Sequence, residues 1–298
     1  MGIAMAEPER PTVSQMEAKL TDRDFSRLST FIHSFAGIRL TPAKKIMLES
    51  RLRRRIRALG MSDYAEYCDF VLGHGKAEET VHLIDVVTTN KTDFFREPQH
   101  FNFLVQQALP TLMREYGAGQ SRTCMVWSAG CSSGEEPYTL AMVLGEFAER
   151  YRGFRSMVLG TDICTEVLEH AKRAIYTEDS IAPVPPALRE KYLLRSKDRT
   201  RSLVRIAPFL RERVRFRHLN FLDGDFAVRE PIDVVFCRNV FIYFDRGTQE
   251  QILNRFVKHL MPGGFVFLGH SETINGLDVP LVQVAPTIYR TPQGRQSP

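Results

Sequence analysis

The sequence predicts an α/β protein in which a doubly wound parallel sheet follows an all-helical N-terminal domain. One observation is that short apolar runs alternate with helical patterns from about residue 120 onward, which is typical of a parallel sheet covered by helices. A second is that residues 21–88 show helical periodicity without such runs. The chain has 298 residues, which is enough for two domains of ordinary size.

Capping residues place the first helix of the N-terminal domain. Thr21 and Asp24 form a capping pair, and Gly37 is expected to end the helix. Residues 1–20 are interpreted as a flexible polar leader. The helical domain is therefore expected at 21–88.

A strongly basic segment follows this first helix. Lys44 to Arg57 contain seven basic residues and one acidic residue. At helical spacing, Leu52 and Ile56 face inward. The basic residues that can share the outward face are Lys45, Arg53, Arg54 and Arg57. A solvated surface helix would show the same pattern, so docking of an acidic partner on this helix is a hypothesis.

Apolar runs supply the strands of the second domain, which we assign to residues 121–298, after a linker at 89–120. The runs read CMVWSAG, MVLGTDI, VRFRHLNF, IDVVFCRN, FVFLGHS and LVQVAPTIYRT. No helix separates the last two runs, so an antiparallel terminal strand pair is expected. Proline and basic residues interrupt the alternation at about 177–213, where we predict a small β insertion.

Composition excludes several classes of protein. Hydrophobic residues make up 43% and charged residues 25%, as in globular proteins, and no run approaches the ~20 apolar residues of a membrane span. The first ten residues carry acid and proline where a signal peptide is apolar, so a cytoplasmic protein is expected. The cysteines form no CxxC pair and the histidines no HExxH spacing, so we expect no disulfide framework and no metal.

Glycines and acidic residues follow the first two strands of this domain. Gly130 and Gly134 would allow the backbone to approach a ligand at a strand end. Glu135 and Glu136 come next and suit a cationic or zwitterionic ligand better than a phosphate, although acids at a helix start also serve the helix dipole. Asp162 ends the second strand, where an acidic residue in this fold binds ribose hydroxyls. Its alternative role is to cap the next helix.

Two later strand ends supply the other groups that a nucleoside needs. Asn220 offers an amide for the base edge, and Phe221 and Val240 offer an apolar wall, with Asn239 beside them. In open α/β sheets, ligands bind in the crevice at the carboxyl ends of the strands. One shared nucleoside site explains these residues better than four separate structural roles.

Several segments resemble, in order, the motifs of the CheR-type chemotaxis receptor methyltransferases. They are TTNKTDFFREPQHF, SAGCSSGEEPY, GTDICTEVLEHA, FRHLNF, VVFCRNVFIYFD and MPGGFVFLGHSE, and the resemblance covers about residues 20–290. It implies a Rossmann-like methyltransferase sheet and S-adenosylmethionine as methyl donor, with S-adenosylhomocysteine as product. The acceptor that it implies is a glutamate side chain of a chemoreceptor.

The resemblance also implies roles for individual residues. Arg96 and Tyr243 would be the catalytic residues, since a guanidinium can hold a carboxylate with two hydrogen bonds. A structural ion pair of Arg96 with a neighbouring glutamate, and burial of Tyr243 in the core, are the alternatives. The residues implied for the cofactor are Asn90, Thr92 and Arg96 at the methionyl end, Glu136 with help from Glu135 at the ammonium, Asp162 at the ribose, and Asn220, Phe221, Asn239 and Val240 around the adenosine and the methyl group.

The partners follow from the same resemblance. The cytoplasmic helices of a chemoreceptor would dock on the basic helix Lys44 to Arg57, and a receptor C-terminal peptide would dock on the β insertion. Neither nucleic acid nor membrane insertion is expected.

Three rival functions remain open. A nucleic-acid methyltransferase fits the basic chain, but RNVFIYF stands where an Asn/Asp-Pro-Pro-aromatic sequence would be expected. A small-molecule methyltransferase leaves the basic helical domain unexplained. A non-catalytic S-adenosylmethionine-binding scaffold would keep Asp162 and lose Arg96 or Asn90, and both are present.

Overall fold

The structure is a computed structural model that describes residues 19–74, 77–198 and 200–292. The leader expected at residues 1–20 therefore lies outside the described residues up to residue 18. The helices of the N-terminal domain are α1 (Asp22–Ala36), α2 (Lys45–Ala58), α3 (Tyr64–Asp69) and α4 (Ala77–Val87). The later helices are α5 (Pro98–Phe103), α6 (Leu109–Tyr116), α7 (Glu135–Arg150), α8 (Thr165–Arg173), α9 (Pro186–Tyr192), α10 (Pro208–Arg211) and α11 (Arg246–His259). Single helical turns occupy Pro42–Lys44, Phe70–His74, Leu104–Ala108 and Phe241–Tyr243.

Helix α1 begins and ends where the capping residues predict. The Thr21 hydroxyl accepts a hydrogen bond of 3.1 Å from the backbone N–H of Asp24, which satisfies one of the free amides of the first turn. Gly37 ends the helix in the left-handed region, at φ 72°. In α2, Leu52 and Ile56 are fully buried in the core of the N-terminal domain, so the predicted inward face is confirmed.

The main sheet has the predicted doubly wound, mostly parallel topology. The strands of the chain are β1 (Cys124–Ala129), β2 (Ser156–Asp162), β3 (Ile175–Thr177), β4 (Leu193–Arg195), β5 (Leu203–Ile206), β6 (Val214–His218), β7 (Ile232–Cys237), β8 (Leu260–Leu268), β9 (Val282–Ala285) and β10 (Ile288–Arg290). The main sheet has the order β6-β2-β1-β7-β8-β10-β9. Strands β6, β2, β1, β7 and β8 run parallel, and β10 is antiparallel to both of its neighbours. The strand order reverses between β1 and β7, which places the ligand crevice at their carboxyl ends.

Apolar layers cover both faces of this sheet, as its unbroken apolar strands predict. Val126 of β1 packs in one buried cluster with α7, whereas the adjacent Trp127 packs in another with α11. The Trp127 indole N–H donates to the Thr161 hydroxyl at 2.9 Å, so the one polar atom of this buried ring is satisfied.

The β insertion is a small antiparallel sheet in the order β3-β5-β4. The sequence predicts its β4–β5 hairpin but not β3, which begins at Ile175, ahead of the expected start at 177. Strand β3 has three residues, too few for a period-two pattern, and it pairs with a strand distant in sequence.

The segment 89–120, assigned as a linker, contains α5 and α6. Phe101, Leu109 and Leu112 of these helices are buried against the main sheet. Pro98 and Pro110 lie within their first turns, and such short pieces interrupted by proline carry little periodic signal.

The N-terminal domain contacts the sheet domain at separate places along the chain. His33 Nε2 of α1 lies 3.0 Å from Asp245 Oδ2 at the start of α11. Asp85 of α4 accepts a hydrogen bond of 2.8 Å from the backbone N–H of Thr165 and so caps α8. Within the described ranges, no helix combines the length and apolarity needed to cross a membrane.

Candidate active site

A cavity of about 380 Å³ opens at the carboxyl ends of β1, β2 and β7, against the N-terminal domain. The ten site residues named from the sequence all line it: Asn90, Thr92, Arg96, Glu136, Asp162, Asn220, Phe221, Asn239, Val240 and Tyr243. Glu135, considered as a helper of Glu136, is not among the lining residues. Its carboxylate accepts a hydrogen bond of 2.7 Å from the Ser133 hydroxyl, and burial raises its pKa.

Polar side chains at the strand ends form one side of the cavity, which we call the strand-end wall. Its members are Glu136, Asp162, Asn220, Arg238 and Asn239. The first four are at most 9% exposed. Because buried polar groups need partners, the contacts of each define how firmly this wall is held.

Asp162 joins the loops that follow β1 and β2. Its two carboxylate oxygens accept backbone hydrogen bonds from Ser132 at 2.8 Å and from Cys164 at 2.9 Å. Burial raises its pKa, against the effect of these hydrogen bonds. Asp162 does not cap α8 in the usual way, since Asp85 supplies the side chain at the first turn of that helix. A buried carboxylate held at a strand end can bind a pair of hydroxyls.

Glu136 and Arg238 form an enclosed ion pair at the first turn of α7. Arg238 Nε donates to Glu136 Oε2 at 2.6 Å, and the Ser128 hydroxyl donates to Glu136 Oε1 at 2.6 Å. Arg238 Nη1 also donates to the carbonyl of Arg96 at 2.7 Å. Each oxygen of Glu136 keeps a lone pair, so the carboxylate can still accept from an ammonium. The pair fixes the carboxylate before any ligand is bound.

Glu272 is a member of the site that the sequence analysis missed. Its buried carboxylate accepts backbone hydrogen bonds from Asn239 at 3.0 Å, from Phe241 at 2.8 Å and from Gly269 at 2.6 Å. It thereby holds Asn239 in the left-handed region, at φ 60°, where a residue other than glycine is strained. The signal was present, since Glu272 closely follows the end of β8 and so obeys the strand-end rule.

Residue 130 must be glycine because its backbone lies very close to the side chain of Val240 across the crevice. A Cβ at this position would lie 2.6 Å from Cγ2 of Val240, and its φ is +78°. Both the contact and the conformation exclude larger residues. The glycine predicted from the loop pattern therefore brings the β1 loop against the apolar wall of the cavity.

Asn220 connects the strand-end wall to the N-terminal domain. Its amide nitrogen donates to the carbonyl of Phe35 at 2.7 Å, and its oxygen accepts from the backbone N–H of Leu222 at 3.0 Å. Phe221 beside it is 7% exposed and packs edge-on against Phe256. The amide and the ring have fixed orientations.

Residues from the N-terminal part of the chain form the facing side, which we call the N-terminal wall: Lys44, Asn90, Thr92 and Arg96. All four are half-buried. Arg96 Nη1 donates to the carbonyl of Lys91 at 3.2 Å, and no carboxylate of the described residues lies within ion-pair distance of its guanidinium. The structural ion pair considered as an alternative is therefore absent from the described part of the chain.

Tyr243 lies at the boundary between the two walls. It is half-buried and lines the cavity, so it is not a core residue. The ammonium of Lys44 lies 5.3 Å from the centre of its ring, within the range of a cation–π interaction. A positive charge therefore lies beside the phenol ring at this side of the cavity.

Comparison with known proteins identifies the family. The family model described as "CheR methyltransferase, SAM binding domain" matches residues 90–289, and "CheR methyltransferase, all-alpha domain" matches residues 23–88. The chain is 37% identical to a chemotaxis protein methyltransferase of Borreliella burgdorferi, over 92% of this chain and 96% of that protein. It is 38% identical to that of Escherichia coli, over 91% of each. It is 40% identical to that of Salmonella typhimurium, over 87% of this chain and 86% of that protein. The chain thus belongs to the CheR methyltransferase family, and its cofactor is S-adenosylmethionine.

Proposed function

We propose that this methyltransferase acts in chemotaxis and transfers the methyl group of S-adenosylmethionine to glutamate side chains of chemoreceptors, forming methyl esters. The observation that carries the proposal is the guanidinium of Arg96. It lines the cavity, as Tyr243 does, and it has no carboxylate partner among the described residues. An accessible guanidinium beside a cofactor cavity suits an acceptor that is itself a carboxylate.

The residues of the strand-end wall suit the cofactor. Asp162 would bind the ribose hydroxyls and Glu136 the α-ammonium, while Phe221 and Val240 enclose the adenosine. Both carboxylates are buried and hydrogen-bonded, so they are oriented before binding. Two carboxylates also suit a ligand that carries a sulfonium as well as an ammonium.

The reaction requires positioning rather than proton transfer. A glutamate side chain is ionised at neutral pH, so its oxygen needs no general base. One carboxylate oxygen forms a bond to the methyl carbon while the bond between carbon and sulfur breaks, and the sulfur leaves as a neutral thioether. Opposite charges cancel in this step, so exclusion of water from the cavity favours it. Arg96 would hold the second carboxylate oxygen and leave the first one aligned.

The basic helix α2 is proposed to dock the receptor, through fewer residues than its composition suggests. Arg55 is paired with the buried Glu79, and Arg51 donates to the carbonyls at the end of α4. Lys45 and Arg53 are paired with acids of the N-terminal domain.

Arg54 and Arg57 are exposed and form no ion pair among the described residues. These two arginines are therefore proposed to meet the acidic helices of a receptor.

The β insertion is the proposed site for a receptor C-terminal peptide. Strand β4 is an edge of its sheet, so the outer backbone groups of β4 can pair with an extended peptide. Leu194 on this strand is 51% exposed and offers an apolar contact.

Transfer of labelled methyl from S-adenosylmethionine to a purified receptor tests the proposal. We expect label on the receptor that is released by mild base, because an ester is base-labile. A receptor whose cytoplasmic glutamates are replaced by alanine is the matched control and should remain unlabelled. Label stable to base, label on nucleic acid or on a small molecule, or binding of the cofactor without transfer would each contradict it.

A further inference from the structure

Arg238 is the most enclosed cation of the site, and its surroundings extend beyond Glu136. Its side chain is 2% exposed, and its guanidinium carbon lies 5.2 Å from the centre of the Phe101 ring and 5.5 Å from that of Phe236. Its Nη1 lies 3.4 Å from His100 Nδ1 and 3.6 Å from Glu97 Oε2. The orientation of this guanidinium is therefore set by more than one group.

Glu97, His100 and His270 have ligand atoms within 4.8 Å of one another, as in a metal site. Arg238 Nη1 faces two of these ligand atoms, so a fixed cation already balances the Glu97 carboxylate. A divalent ion would be repelled by this guanidinium. In this cluster, His100 is therefore a neighbour of Arg238 and not a metal ligand.

The hydrogen bonds of His100 determine which nitrogen carries its proton. Its Nε2 lies 2.9 Å from the Thr287 hydroxyl, and that hydroxyl donates to the carbonyl of Pro286 at 2.8 Å. A hydroxyl has a single proton, so it must accept from Nε2–H. The lone pair of Nδ1 then faces Arg238 Nη1 and can accept from it. Nδ1 also lies 3.4 Å from Glu97 Oε2, but the Nε2–H ring has no proton on Nδ1 to donate there.

Electrostatics support the same neutral form of the ring. Burial first, and the charge of Arg238 second, lower the pKa of His100 to about 4. Above that pH the imidazole is uncharged, so no second cation faces the guanidinium. Thr287 lies in the turn between β9 and β10, so this terminal hairpin helps to hold the His100 ring.

We propose that His100 is a positioning residue for the methionyl end of the cofactor. Held by Thr287 in its Nε2–H form, it accepts from Arg238 and so orients the guanidinium that fixes the carboxylate of Glu136. This inference rests on the proposed role of Glu136 at the α-ammonium. It predicts that substitution of His100 or Thr287 weakens the binding of the amino-acid end of the cofactor and not that of the adenosine.

Binding of two ligands separates this role from general stability. S-adenosylhomocysteine carries the amino-acid end, whereas methylthioadenosine lacks it. We expect His100→Leu and Thr287→Val to weaken S-adenosylhomocysteine about tenfold, the effect of one lost hydrogen bond to a charged group, and to leave methylthioadenosine unchanged. His100→Asn, which returns an acceptor near the Nδ1 position, should recover part of the loss. Equal weakening of both ligands by the Leu and Val variants, or no weakening at all, would overturn the proposal.

Nitrogen NMR of the wild-type imidazole gives a test that needs no variant to fold. We expect a neutral His100 ring protonated at Nε2 at neutral pH, and a shift toward the Nδ1–H form in Thr287→Val. A charged ring, or an Nδ1–H ring in the wild type, would refute the proposed support. Glu136→Gln in the same binding assay separates the two hypotheses. Equal loss of both ligands there removes the ammonium assignment, whereas a selective loss there without one in His100→Leu removes only the role of His100.

Discussion

The strand-end wall and the N-terminal wall enclose the same cavity but differ in how firmly they are held. Asp162 and Glu136 are buried, and each accepts at least two hydrogen bonds from the protein. Arg96 on the facing wall is half-buried, and its guanidinium has a single hydrogen bond of 3.2 Å among the described residues. A prearranged surface suits a ligand of constant shape, and a surface with unused donors suits a partner that arrives from outside. We infer that the adenosine and the ammonium of the cofactor bind on the strand-end wall, whereas Asn90, Thr92 and Arg96 of the N-terminal wall contact its methionyl end, where the acceptor arrives.

Removal of the Arg96 guanidinium should have the largest effect if the comparison is correct. We expect Arg96→Ala to lower turnover with receptor by about 100-fold, because a misplaced acceptor loses most of the advantage of alignment. The melting temperature should change little. Arg152→Ala, in an exposed turn away from the cavity, is the matched control. Near-normal turnover with a lowered melting temperature would show that Arg96 is structural.

Asp162→Asn should act on the other wall and produce the opposite pattern. The substitution keeps the size of the side chain but removes its charge and one of the two oxygens that accept backbone hydrogen bonds, so we expect affinity for S-adenosylhomocysteine to fall roughly 10- to 100-fold. Calorimetry measures this change directly. Turnover at saturating cofactor should fall much less than in Arg96→Ala. Unchanged affinity in the folded variant would remove the ribose assignment.

The two walls also differ in how well the sequence predicts them. Asp162, Asn220 and Asn239 each follow a strand, and the parallel topology brings all strand ends to one edge, so pattern and fold together predict their location. Nothing in the periodicity around Asn90 or Arg96 places them at that edge. Their positions depend on how the chain crosses between domains, and only the resemblance to a known family indicated them.

Residues that act through other residues were the hardest to predict. Glu272 accepts hydrogen bonds from backbone amides. His100 lies in α5, a short helix that begins with proline. Neither side chain is among those lining the cavity, so no argument from ligand chemistry selects it, although the strand-end rule alone would have indicated Glu272. The burial and hydrogen bonds that reveal both depend on packing between segments far apart in sequence, which a single sequence does not specify.

Charge reversal on α2 tests whether the receptor also contacts this protein outside the cavity. We expect Arg54→Glu combined with Arg57→Glu to raise the KM for receptor roughly three- to tenfold, since each exposed charge contributes under about 1 kcal/mol. The effect should shrink as salt rises, because exposed charges are screened. Affinity for S-adenosylhomocysteine should stay the same. Reversal of Arg152 and Arg229, which are exposed on the catalytic domain, is the control, and an equal effect there would exclude a specific role for α2.

The smallest expected effect concerns the contact between His33 of α1 and Asp245 at the start of α11. A hydrogen bond from the backbone N–H of Thr248, and then one from His33, lower the pKa of Asp245 from 3.8 to about 2. The folded state therefore binds this proton less readily than the unfolded state, so the ionised carboxylate stabilises the fold above the ordinary value. That contribution is lost as pH falls through 3.8 toward about 2.

Asp245→Asn isolates this contribution, because asparagine also caps a helix but does not titrate. We expect the variant to be slightly less stable than the wild type at pH 7 and the difference to shrink as pH falls below about 4. Urea unfolding of both proteins between pH 7 and pH 3 measures this difference. A difference that stays constant down to pH 3 would show that the Asp245 carboxylate gains no stability from Thr248 and His33. The α1–α11 contact would then add no pH-dependent stability, and the two domains would be held together through their other contacts, such as those of Asp85 with Thr165 and of Asn220 with Phe35.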